Sequence, residues 1–138
     1  TIKSHGTVYF PGGKGKVAPV APADVAAVAA AVLTEPEVHN GHTYELTGPE
    51  SLTIGDMVQT LGNTLGRRLR YVNVPAPLAV LWLRRMGLPS YVVTGLVETL
   101  GALRRSEYAY VTDAVACVGA VTPQCYATWC EVNKKAFC

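Results

Sequence analysis

Tyr44-Glu45-Leu46-Thr47-Gly48-Pro49-Glu50-Ser51-Leu52-Thr53, an amphipathic run to Leu65, then Gly66-Arg67-Arg68-Leu69-Arg70-Tyr71-Val72-Asn73-Val74-Pro75 is the stretch that decides the fold. Thr43 to Thr47 alternates polar and apolar side chains, which predicts a strand, and Gly48-Pro49 stops it. Thr53 is placed to cap a helix. Asp56, three residues on, stands where a capping-box partner belongs, and Leu52 can staple onto Met57. Ile54, Met57, Val58, Leu61 and Leu65 share one helical face, Gly66 ends the helix, and Leu69 to Val74 returns as a strand. Strand, capped helix and strand in this order predict an α/β protein.

Toward the N-terminus, Thr7-Val8-Tyr9-Phe10 is β-branched and aromatic and runs into Pro11-Gly12-Gly13-Lys14-Gly15, which must turn. Lys16 to Val20 reads as a second extended piece, so an irregular hairpin is expected. Pro19 has no N–H for a ladder, which places that strand at an edge or ends it early. A helix is predicted from about Pro22 to Thr34, with proline in the first turn and Asp24 at the positive end of the dipole. Val25, Val28, Ala29, Val32 and Leu33 form its apolar face, and alanines fill most other positions. So small a surface implies close packing, with a sheet as the expected neighbour. A loop from Glu35 to His42 follows.

Toward the C-terminus the chain turns helical. Pro77 to Met86 is apolar nearly all round and is broken by Gly87-Leu88-Pro89; a further helix is predicted from about Ser90 to Leu103. Tyr108 to Val111 is extended or loop. Thr112-Asp113 is expected to open a short helix, and Thr122-Pro123 the last one, anchored by Tyr126, Trp129 and Phe137. Few short strands with about five helices make the isolated chain α+β in appearance.

The 138 residues fit one domain, 1–138; 49% are apolar and 16% charged, which is a globular composition. A net charge of +2 gives no ground for a nucleic-acid partner. The basic doublets Arg67-Arg68, Arg84-Arg85, Arg104-Arg105 and Lys134-Lys135 fall at or just past predicted helix ends, where cations complement the dipole; a phosphate-binding patch is the alternative. Prolines interrupt every apolar run short of the ~18 residues a spanning helix needs. No apolar core follows Thr1-Ile2-Lys3, so no signal peptide is expected. The four cysteines lie in the last 22 residues without a C-x-x-C pair or a nearby histidine. That argues against zinc and for reduced thiols in a cytoplasmic protein, with Cys138 exposed.

Several chemical motifs fail on their context. Gly13-Lys14-Gly15-Lys16-Val17-Ala18 satisfies G-x-G-x-x-A, but Pro19 follows, and the next helix starts too late for its amides to meet a pyrophosphate. No Ser or Thr follows Lys16 to hold magnesium. His39 and His42 flank an Asn-Gly turn without a third ligand, and His5 is expected on the surface. A G-x-S-x-G elbow and a Tyr-x-x-x-Lys pair are absent from the sequence. Glu98, on an otherwise apolar helix, reads as a solvated edge. The residues yield no catalytic set and no metal site.

Val17-x-x-Val20 leading to Asp24-Val25-Ala26-Ala27-Val28-Ala29, then Gly41-x-x-Tyr44-x-Leu46-Thr47-Gly48-Pro49-Glu50, resembles the NmrA-like, atypical short-chain dehydrogenase/reductase family. The likeness continues through Leu65-Gly66-Arg67, Tyr71 to Pro75 and Val111-Thr112-Asp113 to Pro123 and the closing aromatic helix. It implies the C-terminal, substrate-side subdomain, with the NAD(P)-binding Rossmann half lying outside this chain and no cofactor bound by the chain alone. Ala21 departs from the polar residue that relatives carry before the Asp24 helix. By resemblance Phe10, Pro11 and Gly12 border the substrate cleft, and the helical pair Leu78–Leu103 covers it, with Trp82, Met86, Tyr91 and Val92 as lid positions. The same four residues also read as ordinary core. A truncated reductase half, a small-ligand binder and an oligomerising module all remain open. The partners implied are the missing half or a second copy in a homodimer, and a small apolar ligand.

Overall fold

The computed structural model describes residues 6–137, so the expectations for His5 and Cys138 fall outside the described residues. β1 (Thr7–Phe10) runs parallel to β4 (Arg70–Asn73), with Thr7 opposite Arg70 and Phe10 opposite Asn73. β2 (Lys16–Val17) pairs antiparallel with β3 (Leu52–Thr53). The hairpin expected between the first two extended pieces therefore does not form. The turn after β1 is tied to β4 instead: the Gly13 N–H donates to the Asn73 side chain at 2.9 Å, and the Tyr71 hydroxyl donates to the Phe10 carbonyl at 3.1 Å. β2 does end before Pro19.

Residues 43–47, expected as a strand, join no ladder. Thr112 holds them by other means. Its N–H donates to the Thr47 hydroxyl at 2.8 Å, and its own hydroxyl donates to the Glu45 carbonyl at 2.6 Å. One threonine fixes the segment in place but offers no row of backbone partners, which is what a strand requires.

α1 (Pro22–Thr34) starts at Ala21, which makes no side-chain cap. It packs on α6 (Ala114–Gly119) and not on a sheet, since Val28 lies where only the bare Cα of Gly119 leaves room. Its Asp24 is buried and accepts the Gln124 N–H at 2.8 Å, joining the two ends of the chain. Within the expected loop, Pro36–His39 forms a single helical turn, α2.

α3 (Ile54–Thr64) carries the expected capping box: the Asp56 N–H donates to the Thr53 hydroxyl at 3.1 Å, and the Thr53 N–H donates to the Asp56 carboxylate at 3.0 Å. Gly66, at φ +64°, lets the chain leave the helix in the left-handed region. Val58 and Leu61 are buried, and α3 lies against β4 and α7 (Tyr126–Val132). The last helix opens at Tyr126, not at Thr122-Pro123, because the Gln124 N–H is taken by Asp24 while Glu50 accepts the Tyr126 N–H at 2.8 Å. Tyr126 stacks on Trp129, whose other neighbour is Phe137, so the three expected anchors do meet.

α4 (Ala76–Arg85) and α5 (Ser90–Arg104) pack together across the short Met86–Pro89 connection. The end of α5 presses on the turn before β2, where a Cβ on Gly15 would drive into the Leu103 carbonyl. Seven α-helices form among the described residues, where about five are expected. None is long and apolar enough to cross a membrane.

Candidate functional site

Beyond the carboxyl ends of the parallel pair lies a cavity of about 610 Å³. Tyr9, Phe10 and Pro11 leave β1 into its wall, and Val74 leaves β4. Leu78, Ala79, Trp82 and Leu83 face it from α4, and Leu96, Thr99 and Leu100 from α5. Both sets follow the i, i+3, i+4 spacing of one helical face. The Thr99 hydroxyl donates to the Gly95 carbonyl at 2.9 Å, so it offers that bond to its own helix rather than to the cavity. What remains is apolar and aromatic surface of a volume that suits a small organic molecule.

The β1 side of this wall is pinned by side chains that do not line the cavity. Tyr71 donates to the Phe10 carbonyl, Asn73 accepts from Gly13, and Arg104 donates to the Pro11 carbonyl at 3.2 Å. Burial pushes the Tyr71 phenol above its usual pKa, which keeps its proton available for donation.

Of the residues expected at the cleft, Phe10, Pro11 and Trp82 line the cavity. Gly12 is buried behind the wall, where an added Cβ would come within 2.9 Å of Ile54. Met86, Tyr91 and Val92 sit around the α4–α5 connection and are not part of the lining; Tyr91 is 79% exposed. Tyr9, Val74, Leu78, Ala79, Leu83, Leu96, Thr99 and Leu100 were not named individually from the sequence. Helical periodicity could have found those on α4 and α5, because Trp82 shares its face with Leu78, and Leu96 with Leu100.

The remaining candidates form no centre. His39 shares a 2.9 Å hydrogen bond with the Tyr44 hydroxyl, and His42 stacks on the same ring. Among the described residues no three His, Cys, Asp or Glu are placed to hold a metal. A dinucleotide does not fit the glycine turn: the Gly15 N–H bonds back to the Gly12 carbonyl at 3.2 Å, and the chain continues into β2. The helix that follows already holds the Asp24 carboxylate in its first turn.

No family model matches the chain. It is 33% identical to the NAD(P)H azoreductase of Xenophilus azovorans over 137 residues, which is 99% of this chain and 47% of that enzyme. The NADPH-dependent quinone oxidoreductase QOR2 of Escherichia coli, solved with NADPH, superposes with a TM-score of 0.75 at 23% identity, over 94% of this chain and 46% of that one. The triphenylmethane reductase of Citrobacter sp., solved with NADP(H), gives 0.71 at 24% identity, over 97% and 45%. The chain is thus a partial homologue of NAD(P)H-dependent, NmrA-like oxidoreductases. It spans about half the length of the relatives it matches, and the quinone oxidoreductase and the triphenylmethane reductase hold NADPH and NADP(H) in their solved structures.

Proposed function

We propose that this chain is the C-terminal, substrate-side portion of an NmrA-like, NAD(P)H-dependent reductase, and that its apolar cavity receives a planar aromatic electron acceptor. The observation that carries this reading is the cavity itself: Phe10 and Trp82 offer ring faces, Val74, Leu78 and Leu100 offer aliphatic walls, and no charged group lines it. Such a surface favours flat, uncharged molecules. The similar proteins are named for azo compounds, a quinone and triphenylmethane, all aromatic or conjugated. NAD(P)H would be held by residues outside this chain, whose own glycine turn does not suit a pyrophosphate.

Titration with 1,4-naphthoquinone tests the reading, because Trp82 lies in the cavity and Trp129 does not. Saturable quenching of tryptophan fluorescence is expected and should vanish in Trp82→Phe. Quenching that never saturates, or that survives this substitution, would sink the proposal. The chain alone is expected not to oxidise NADPH with the quinone, and heat released on titrating NADPH into it would contradict that expectation.

A second reading, compatible with the first, concerns α1. Leu33 is 79% exposed, Val25 at the other end of α1 and Val38 on α2 are exposed too, and residues 43–47 join no ladder. An apolar face of this kind favours association. The chain would then form a homodimer. Light scattering at about 20–50 μM, where an interface of ordinary affinity is saturated, should give twice the monomer mass, falling to the monomer in Leu33→Glu; a monomeric wild type removes this reading.

A further inference from the structure

Arg67, Arg68 and Arg70 lie at the opposite end of the β1–β4 pair from the apolar cavity, and the function proposed above makes no use of them. The chain leaves α3 with the Arg67 N–H bonded to the Gly62 carbonyl at 3.1 Å, and enters β4 with the Arg70 N–H bonded to the Gly6 carbonyl at 2.8 Å. A Cβ on Gly62 would come within 3.0 Å of the Arg67 carbonyl oxygen, so the returning segment is held hard against the helix. Beside it opens a cleft of about 720 Å³ whose lining includes all three arginines, together with the amides of Gln59 and Asn63. Gly55 and Gly62 also line it, and they bring backbone where side chains would otherwise take up room.

Among the described residues no side chain neutralises the charge in this cleft. No Asp or Glu is among its lining residues. Arg67 donates to the Phe137 carbonyl at 3.2 Å, whereas Arg68 and Arg70 are exposed and their guanidinium groups make no hydrogen bond or ion pair among the described residues. The one ion pair among those residues, Arg105 with Glu107, lies elsewhere. Complementing the dipole of α3 accounts for a cation just past its C-terminus. It does not account for Arg70, which belongs to β4, or for two amide side chains turned to the same space.

We propose that this cleft binds a phosphoryl group carried by a small molecule. Guanidinium groups match phosphate oxygens with paired N–H donors and stay charged at any working pH, and the Gln59 and Asn63 amides add neutral donors. The volume exceeds what a single phosphate fills, which fits a diphosphate or a phosphate bearing an organic group.

Calorimetric titration at low salt with inorganic pyrophosphate, ADP and adenosine tests this. Pyrophosphate and ADP should bind and adenosine should not; ADP tighter than pyrophosphate points to a nucleotide, and equal affinities point to the phosphoryl group alone. Arg68→Gln with Arg70→Gln should weaken pyrophosphate about tenfold or more. Arg84→Gln with Arg85→Gln removes the same charge from the end of α4 and should change it by less than about twofold. Gln59→Glu, an exposed change that brings a carboxylate to the cleft, should also weaken binding. Equal losses in the two arginine double variants, absence of pyrophosphate binding, adenosine binding as well as ADP, or an unchanged Gln59→Glu variant would each overturn the proposal.

Discussion

α3 and α4 flank β4 in the chain, yet they dispose of their apolar side chains in opposite ways. α3 is closed at its start by Thr53 and Asp56, buries Val58 and Leu61, and leaves Asp56, Gln59 and Asn63 outside. α4 has apolar residues nearly all round and leaves Leu81 61% and Trp82 63% exposed. A helix whose stripe matches its neighbours is complete within the chain. A helix with more apolar surface than its neighbours cover has surface left for a ligand or another polypeptide. The first region buries its stripe and the second leaves apolar surface uncovered.

The sharpest way to break this contrast is to cut into both helices. Leu61→Ala, at 4% exposure, should lower unfolding free energy in urea by about 2–5 kcal/mol. A loss under about 1 kcal/mol would mean α3 is not the stabilising region. Next, Trp82→Ala should leave the urea midpoint almost unchanged while weakening naphthoquinone by about tenfold, ~1.4 kcal/mol, in calorimetric titration. A destabilisation comparable with that of Leu61→Ala would place Trp82 in the core.

Removing the cap with Thr53→Ala should cost about 1 kcal/mol. This deficit carries a pH signature. Hydrogen bonds from the Thr53 hydroxyl and N–H hold the Asp56 carboxyl below its ordinary value of 3.8. The stability from this charged bond is therefore fully present above that value and is lost as pH falls through the depressed one. The gap between wild type and Thr53→Ala should narrow in acid denaturation series, and a gap that is constant with pH would remove Asp56 from the box. The smallest effect belongs to Leu81→Ala, expected to change stability by no more than about 0.5 kcal/mol in the same urea assay.

What could be read from the sequence follows from how local each signal is. α1 was legible because Pro22 and a run of helix-forming alanines act within one segment, and α3 because Thr53 and Asp56 are three residues apart. The hairpin misreading arose because a glycine turn between two β-prone pieces looks the same whether or not they pair. The true partner of β1 is β4, and nothing local to Thr7–Phe10 points there. Residues 43–47 have a strand's alternation, but a ladder needs a neighbour that composition does not supply. At the cavity, Phe10, Pro11 and Trp82 are in the lining, whereas Met86, Tyr91 and Val92, lid positions by resemblance, lie outside it because they flank the α4–α5 connection and not the face that Leu78 and Trp82 share. The arginine doublet reads from the sequence mainly as a helix-end feature; Arg70, two residues further on, shares its cleft only because β4 brings it back beside α3.

The Tyr71 hydroxyl reaches a carbonyl 61 residues earlier in the chain. Closing a bond of that span costs loop entropy that contacts within one helix do not, and contacts so distant in sequence are among the slowest to assemble. The apolar chamber is therefore expected to be finished late, after α1 and α3 form from their local signals. Until then Phe10 and Trp82 lie open to any sticky neighbour, so crowding during synthesis should damage this end of the molecule first.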